Sequence, residues 1–222
     1  MFAYLAEQIL LLTSGYQNTV ISTIDSEIVC DKPNKETSTL SSYYHEEVDT
    51  RMLLHAADLV NDGIQRIMII AVGTDVVVIA ISVIHKLDIS SLWIAFGVGK
   101  NFRYIPVHEI AVQLGPYKYR ALLFFHAFTG CDQVVSSFCN HGKKTAWETW
   151  STYNEVTNEF SLLSDKPSED CVKESVENIE RFVILLYDRS SECLRVDAAR
   201  KDLFTKKGLS VDNISPRASA LQ

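Results

Sequence analysis

The sequence predicts an α/β fold built on a parallel, doubly wound sheet with a C-terminal helical extension. Three observations carry this reading. Two continuous apolar runs rich in β-branched residues, Ile67 to Val72 and Leu92 to Phe96, have the composition of strands covered on both faces. Between them, Thr74 can cap a helix running from Asp75 to about Lys86, which gives a strand, a crossover helix and a second strand, the unit from which doubly wound sheets are assembled. Beyond Phe96 the periodic segments are helical.

In chain order, Phe2 to Leu12 reads as a short helix, Thr19 to Cys30 as one or two weak strands, and Asp31 to Ser42 as a loop. From Glu46 to Val60 the apolar residues Val48, Met52, Leu53, Ala56, Ala57 and Val60 recur at helical spacing, and Asn61-Asp62-Gly63 supplies the stop. Pro106 suits the first turn of a helix that reaches Leu114, and Gly115-Pro116 breaks it. Tyr119 to Phe128 forms another helix, followed by a turn at Thr129 to Asp132 and a glycine-containing loop at Asn140 to Gly142. Lys143 to Trp150, Ser168 to Tyr187 and Val196 to Lys206 read as further helices. The organisation expected is an N-terminal partial segment over 1–42, a core over 43–150, a helical extension over 151–209 and a tail over 210–222.

A chain of 222 residues with 47% hydrophobic and 22% charged residues can bury a sizeable core and is not of disordered composition. Its formal net charge of -7 repels phosphate overall, so nucleic-acid binding requires a local patch. Such a patch is offered between Lys100 and Lys144, where Lys100, Arg103, Lys118, Arg120, Lys143 and Lys144 face only Glu109 and Asp132. The stretch from Glu148 to Glu180 is acidic and reads as solvated helix faces. Five widely spaced cysteines (Cys30, Cys131, Cys139, Cys171, Cys193) indicate neither a disulfide framework nor a zinc site, and the expected location is intracellular, nuclear or cytoplasmic. The start, Met1 to Leu12, carries Glu7 and no basic residue, unlike a secretory signal. The apolar window Ile67 to Ile84 is not read as a membrane span, because Asp75 near its centre would cost roughly 2.5 to 3.5 kcal/mol and Gly73-Thr74 divides it.

In open α/β sheets ligands bind beyond the carboxyl ends of the strands, which directs attention to Asp75, at a helix start after Ile67 to Val72. Glu47 and Asp49 open the preceding helix, and Asp132 follows Gly130 in a turn. Each also has a plain reading: Asp75 as a first-turn acid favoured by the helix dipole, Glu47 as the partner of Arg51, and Asp132 as a helix cap. Carboxylates drawn together from separate segments suit a hard cation such as Mg²⁺, whose charge offsets their repulsion. A pair of such ions can activate water and steady a leaving oxygen in phosphodiester hydrolysis. His45, His55 and His126 read as packing or surface residues.

The segments HEEVDTRMLLHA (His45 to Ala56), VGTDVVVIA (Val72 to Ala80) and FTGCDQVVSSFCNHGKKTA (Phe128 to Ala146), taken in order, resemble the successive acidic motifs of the PIN-like and flap-endonuclease superfamily. The likeness is greatest to a group of uncharacterised animal proteins with that domain, associated with mobile elements, where it extends to FRYIPVHEIA (Phe102 to Ala111) and ERFVILLYDR (Glu180 to Arg189). The resemblance implies a PIN-like core and a nuclease that uses Mg²⁺ or Mn²⁺ on DNA or RNA, with Glu47, Asp49, Asp75 and Asp132 as catalytic and metal-binding acids. It also implies a phosphate clamp at Asn140 to Lys144, in which Gly142 lets backbone approach and Lys143 and Lys144 meet phosphate. Two positions depart from the pattern. Gly73 stands where the family's D-x-D motif has its first aspartate, and the family's first strand has no counterpart before His45. The implied functions are therefore two: a degenerate or truncated nuclease, or a catalytically inactive module that keeps the fold and binds nucleic acid or protein.

Overall fold

The structure, a computed structural model, describes residues 2–13, 17–24, 27–32, 35, 37, 40, 48–131, 138, 140–165, 167–207 and 214–221. It divides into two compact units, Met1–Ile67 and Met68–Gln222.

The first unit holds helix α1 (Phe2–Thr13), an antiparallel hairpin of β1 (Ile21–Ile24) and β2 (Glu27–Cys30), and helix α2 (Val48–Asn61). Asp31 closes the open end of the hairpin, because its backbone N–H donates to Val20 O at 3.0 Å and its Oδ1 accepts from Val20 N at 2.8 Å. Helix α2 buries Leu53 and Ala56, three apart on one face, as its apolar spacing requires. It stops where the sequence indicates: Gly63 takes a φ of 85°, Gly63 N donates to Val60 O and Ile64 N to Leu59 O, the paired bonds of a Schellman ending. Lys35 is tied to the last turns of α2 by Asp62 and by Asp58 at 3.0 Å, and these hydrogen bonds raise its ammonium pKa.

Strand β3 (Arg66–Ala71) leads into the second unit, a mixed α/β layer with β3, β4 (Ser91–Phe96) and β5 (Arg103–Pro106) in that order. Helix α3 (Thr74–Val83), extended by a 3-10 turn at Ile84–Lys86, crosses from β3 to β4. Helix α4 (Val107–Phe128) is in fact two helical arms, because Gly115 has non-helical angles (φ 76°, ψ 164°) immediately before Pro116, the break that the sequence marks. Helices α5 (Lys143–Thr152), α6 (Thr157–Ser164), α7 (Glu169–Tyr187) and α8 (Val196–Lys207) follow. Helix α4 packs on β4 and against α3 and α6. No helix among the described residues is long and apolar enough to cross a membrane.

Three expectations are corrected. The sheet is mixed, not wholly parallel: β5 runs antiparallel to β4, with Phe96 opposite Arg103 and Trp93 opposite Pro106. The tight return between them demands glycine at position 97, whose φ is 84° and where a Cβ would lie 2.9 Å from Asn101 O. Strand β3 is covered on one face only, since Ile67, Ile69 and Ala71 are buried while Met68 and Ile70 are 57% and 78% exposed. Finally, Gly73 occupies the cap position of α3, and Thr74 is its first helical residue without a side-chain capping bond.

The core of the second unit is aromatic. Trp150, Phe160 and Phe182 are fully buried and Phe125 nearly so, with ring centroids 4.7 Å apart for Phe125 and Trp150, 5.5 Å for Trp150 and Phe160, and 5.3 Å for Phe160 and Phe182. These contacts join α4, α5, α6 and α7. The indole N–H of Trp150 donates to Thr157 Oγ1 at 2.9 Å, so its burial leaves no polar group unmatched. Phe160→Ala is expected to lower unfolding free energy by about 3 to 5 kcal/mol, whereas Ile70→Thr on the open strand face should change it by less than about 0.5 kcal/mol. Urea denaturation of the two variants checks the contrast.

Candidate functional site beyond strand β3

The site is assembled where β3 ends. Ala71 O accepts from Gly97 N at 3.0 Å, which joins the carboxyl ends of β3 and β4, and the chain then passes through Val72 and an extended Gly73 into α3. This route puts Asp75 in the first turn of α3, where the helix dipole favours a negative charge.

Asp75 faces His126, 51 residues further along, with Nε2 of the imidazole 2.8 Å from Oδ1 of the carboxylate. Both side chains are largely withdrawn from solvent, at 24% and 11% exposure. With its hydrogen on Nε2 the imidazole donates to Asp75. His126 lies in the last turn of α4, directly after the core residue Phe125, so the aromatic packing that seats Phe125 also sets the direction of the imidazole.

Lys143, the first residue of α5, joins the same network from a third segment. Its ammonium donates to His126 O at 2.8 Å and to Thr129 Oγ1 at 3.3 Å, while the Thr129 hydroxyl donates to Phe125 O at 2.7 Å. Burial lowers the pKa of Lys143, and the opposing charges of Cys131 and Asp75 partly offset that effect. Asp75, His126, Thr129 and Lys143 thus form one connected polar group.

Beside it, α5 starts from Gly142, a cap residue with no side chain to bond the helix start, and no acid lies in its first turn. Gly142, Lys143 and Lys144 are exposed as residues, although the Lys143 ammonium turns inward. Nothing among the described residues demands glycine at 142, because φ is -84° and an added Cβ would meet none of their atoms within 4 Å. Among the described residues nothing fills the space over Gly142, the cap residue of a helix whose first backbone N–H groups have no intrahelical acceptor.

Of the residues singled out in the sequence, Asp75 and Lys143 are brought together, and Gly142 and Lys144 adjoin them. Asp49 is in the first turn of α2, in the first unit. Glu47 and Asp132 lie outside the described residues. His126, for which the sequence offers a packing or surface role, is buried and is the partner of Asp75. A signal was present in the spacing of His126 and Thr129, three apart on one helical face just before the Gly130-Cys131 turn.

A hard divalent cation needs several oxygen donors. The described residues supply one carboxylate here, its Oδ1 already engaged by an imidazole and its charge met by a lysine ammonium of the same chain. Among the described residues no group of three or more His, Cys, Asp or Glu side chains could hold a metal ion. A cation beside Asp75 would need further oxygen donors, and Glu47 and Asp132, two of the acids singled out in the sequence, lie outside the described residues.

Comparison with protein-family models, with curated proteins and with solved structures finds no match for this chain.

Proposed function

We propose that this chain is a nucleic-acid-binding module of the PIN-like and flap-endonuclease type that holds the phosphate backbone of DNA or RNA at the start of α5. The observation that carries the reading is the α5 N-terminus, capped by Gly142, which has no side chain to bond it and which no described residue requires to be glycine, with the exposed Lys144 beside it. Backbone N–H groups and the positive end of the helix dipole attract a phosphate oxygen, and Lys144 adds a mobile charge. Lys143 has a different part. Its inward hydrogen bonds anchor the helix start to the end of α4, so it positions the site.

The second reading, a metal-dependent nuclease, is favoured by one observation. Asp75 stands beyond the carboxyl end of a sheet strand and shares a network with Lys143, two motifs the resemblance would have meet at a phosphodiester. That reading needs Glu47, Asp49 or Asp132 to complete a cation site around Asp75.

Fluorescence anisotropy with labelled single-stranded DNA and RNA at several salt concentrations tests the binding reading. Lys144→Ala should weaken binding to all sequences alike and reduce the slope of log affinity against log salt by about 0.7. Gly142→Ala should keep unfolding free energy within about 1 kcal/mol of the unaltered chain, since capping loss and reduced chain entropy oppose each other. It should nevertheless bind more weakly, and unchanged affinity in both variants would move the interface elsewhere. Hydrolysis of flap and single-stranded substrates with and without Mn²⁺ separates the second reading: cleavage abolished by Asp75→Ala would replace the binding-only conclusion with a nuclease. A Gly73→Asp variant is expected to show a larger Tm shift with Mn²⁺ than the unaltered chain, and equal shifts would count against any cation beside Asp75.

A further inference from the structure

The sheet of the second unit has one covered face and one open one. Helix α4 packs on β4, whose Leu92 and Ile94 are fully buried, and the alternation of a strand turns Trp93 and Ala95 to the other side. The register puts Tyr104 of β5 opposite Ala95 on that open side. Strand β3 alternates in the same way, with Ile69 and Ala71 buried and Met68 and Ile70 exposed. Phe102 extends the face beyond the start of β5, its ring centroid 5.2 Å from that of Tyr104 and its plane nearly perpendicular.

Tyr104 is 58% exposed and Phe102 46%, so both rings are within reach of a ligand. Their exposure leaves apolar area in water that a partner with flat faces can cover. The rim of the face is positive. The segments that form it, Met68 to Val72 and Ser91 to Pro106, hold Lys100 and Arg103 and no acid, in a chain whose net charge is -7, and both cations belong to exposed residues. The Arg103 guanidinium lies 5.1 Å from the Phe96 ring centroid, which keeps it at the edge strand and leaves the open face to the aromatic rings. Gly97, at the start of the β4–β5 return, donates to Ala71 O at the carboxyl end of β3, where the chain also turns into α3 and Asp75. The basic return and the polar network therefore share one edge of the sheet.

We infer that this open face is a base-stacking platform for single-stranded nucleic acid. The inference rests on the reading of the chain as nucleic-acid-binding and names the form of nucleic acid that it takes. Unpaired bases can lay their faces on Tyr104 and Phe102, whereas the bases of a duplex are stacked on one another and show only their edges. Lys100 and Arg103 meet the phosphates that link those bases. A second copy of this chain suits the face less well. An isologous contact needs a self-complementary patch, and a rim with two cations and no acid is not one.

The test is fluorescence anisotropy on the full chain with three labelled probes of about twelve nucleotides: a single strand, an abasic strand that keeps only the sugar-phosphate backbone, and a blunt duplex. The single strand should bind about tenfold more tightly than the abasic strand, and more tightly than the duplex despite the higher charge density of the latter. This comparison leaves the protein unaltered. Tyr104→Ala and Phe102→Ala should each weaken single-strand binding about tenfold without changing the abasic affinity, and Tyr104→Trp, which keeps a stacking ring, should retain it. Equal affinity for the single and abasic strands would overturn the platform, and Lys144→Ala then decides separately whether the phosphate contact at α5 stands. Absence of binding by every probe would remove both. A dimer in sedimentation velocity that Tyr104→Ala dissolves would assign the face to a second copy and overturn the inference as well.

Discussion

The burial of Phe125 against Trp150 and Phe160 is the constraint on which the polar site depends. Phe125 belongs to the last turns of α4 and Trp150 to α5, so this one stack fixes the distance between the two helices that supply His126 and Lys143. Neighbouring residues of a helix project about 100° apart. With Phe125 locked into the core, His126 turns to α3 and meets Asp75, and Thr129 follows on the His126 face to receive the Lys143 ammonium. A functional side chain adjacent in sequence to a core anchor inherits the precision of the packing, which a loop residue lacks.

The same arrangement explains how the site tolerates its charges. A carboxylate and an ammonium withdrawn from water both need partners, and each finds them within the chain. The Lys143 ammonium has a carbonyl and a hydroxyl, and Asp75 has an imidazole. Where a nuclease gathers several carboxylates, a bound cation relieves their repulsion. Here each charged group of the described network has a partner within the chain.

Much of this was legible in the sequence, and the failures have identifiable causes. The βαβ unit, the α2 stop at Gly63 and the break at Gly115-Pro116 all follow from local signals: apolar runs, positive-φ glycine and proline chemistry. Strand β5 was missed because four residues carry too little pattern, and its identity depends on pairing with β4; the Gly97 and Gly99 spacing was the available hint. The one-sided burial of β3 was missed for another reason. Met68 and Ile70 are as apolar as Ile67 and Ile69, so composition cannot distinguish a covered face from an open one. The His126 and Thr129 spacing marks a polar face at the end of α4 but not what it meets, because the partner of His126 is 51 residues away and a histidine in an apolar helix has the same local pattern whether it packs or bonds.

The net charge of -7 is compatible with an anion at α5 for a reason of range. At physiological ionic strength the Debye length is about 8 Å, so exposed acids further than that from Lys144 add little repulsion at the phosphate itself. What decides the encounter is the charge within one such length of the helix start, and there the first turn of α5 contains no acid and two lysines. One of them is committed inward. On the proposed reading, an edge built this way would attract a phosphate through oriented N–H groups more than through net charge, and the backbone geometry at Gly142 is the feature such a contact would most require.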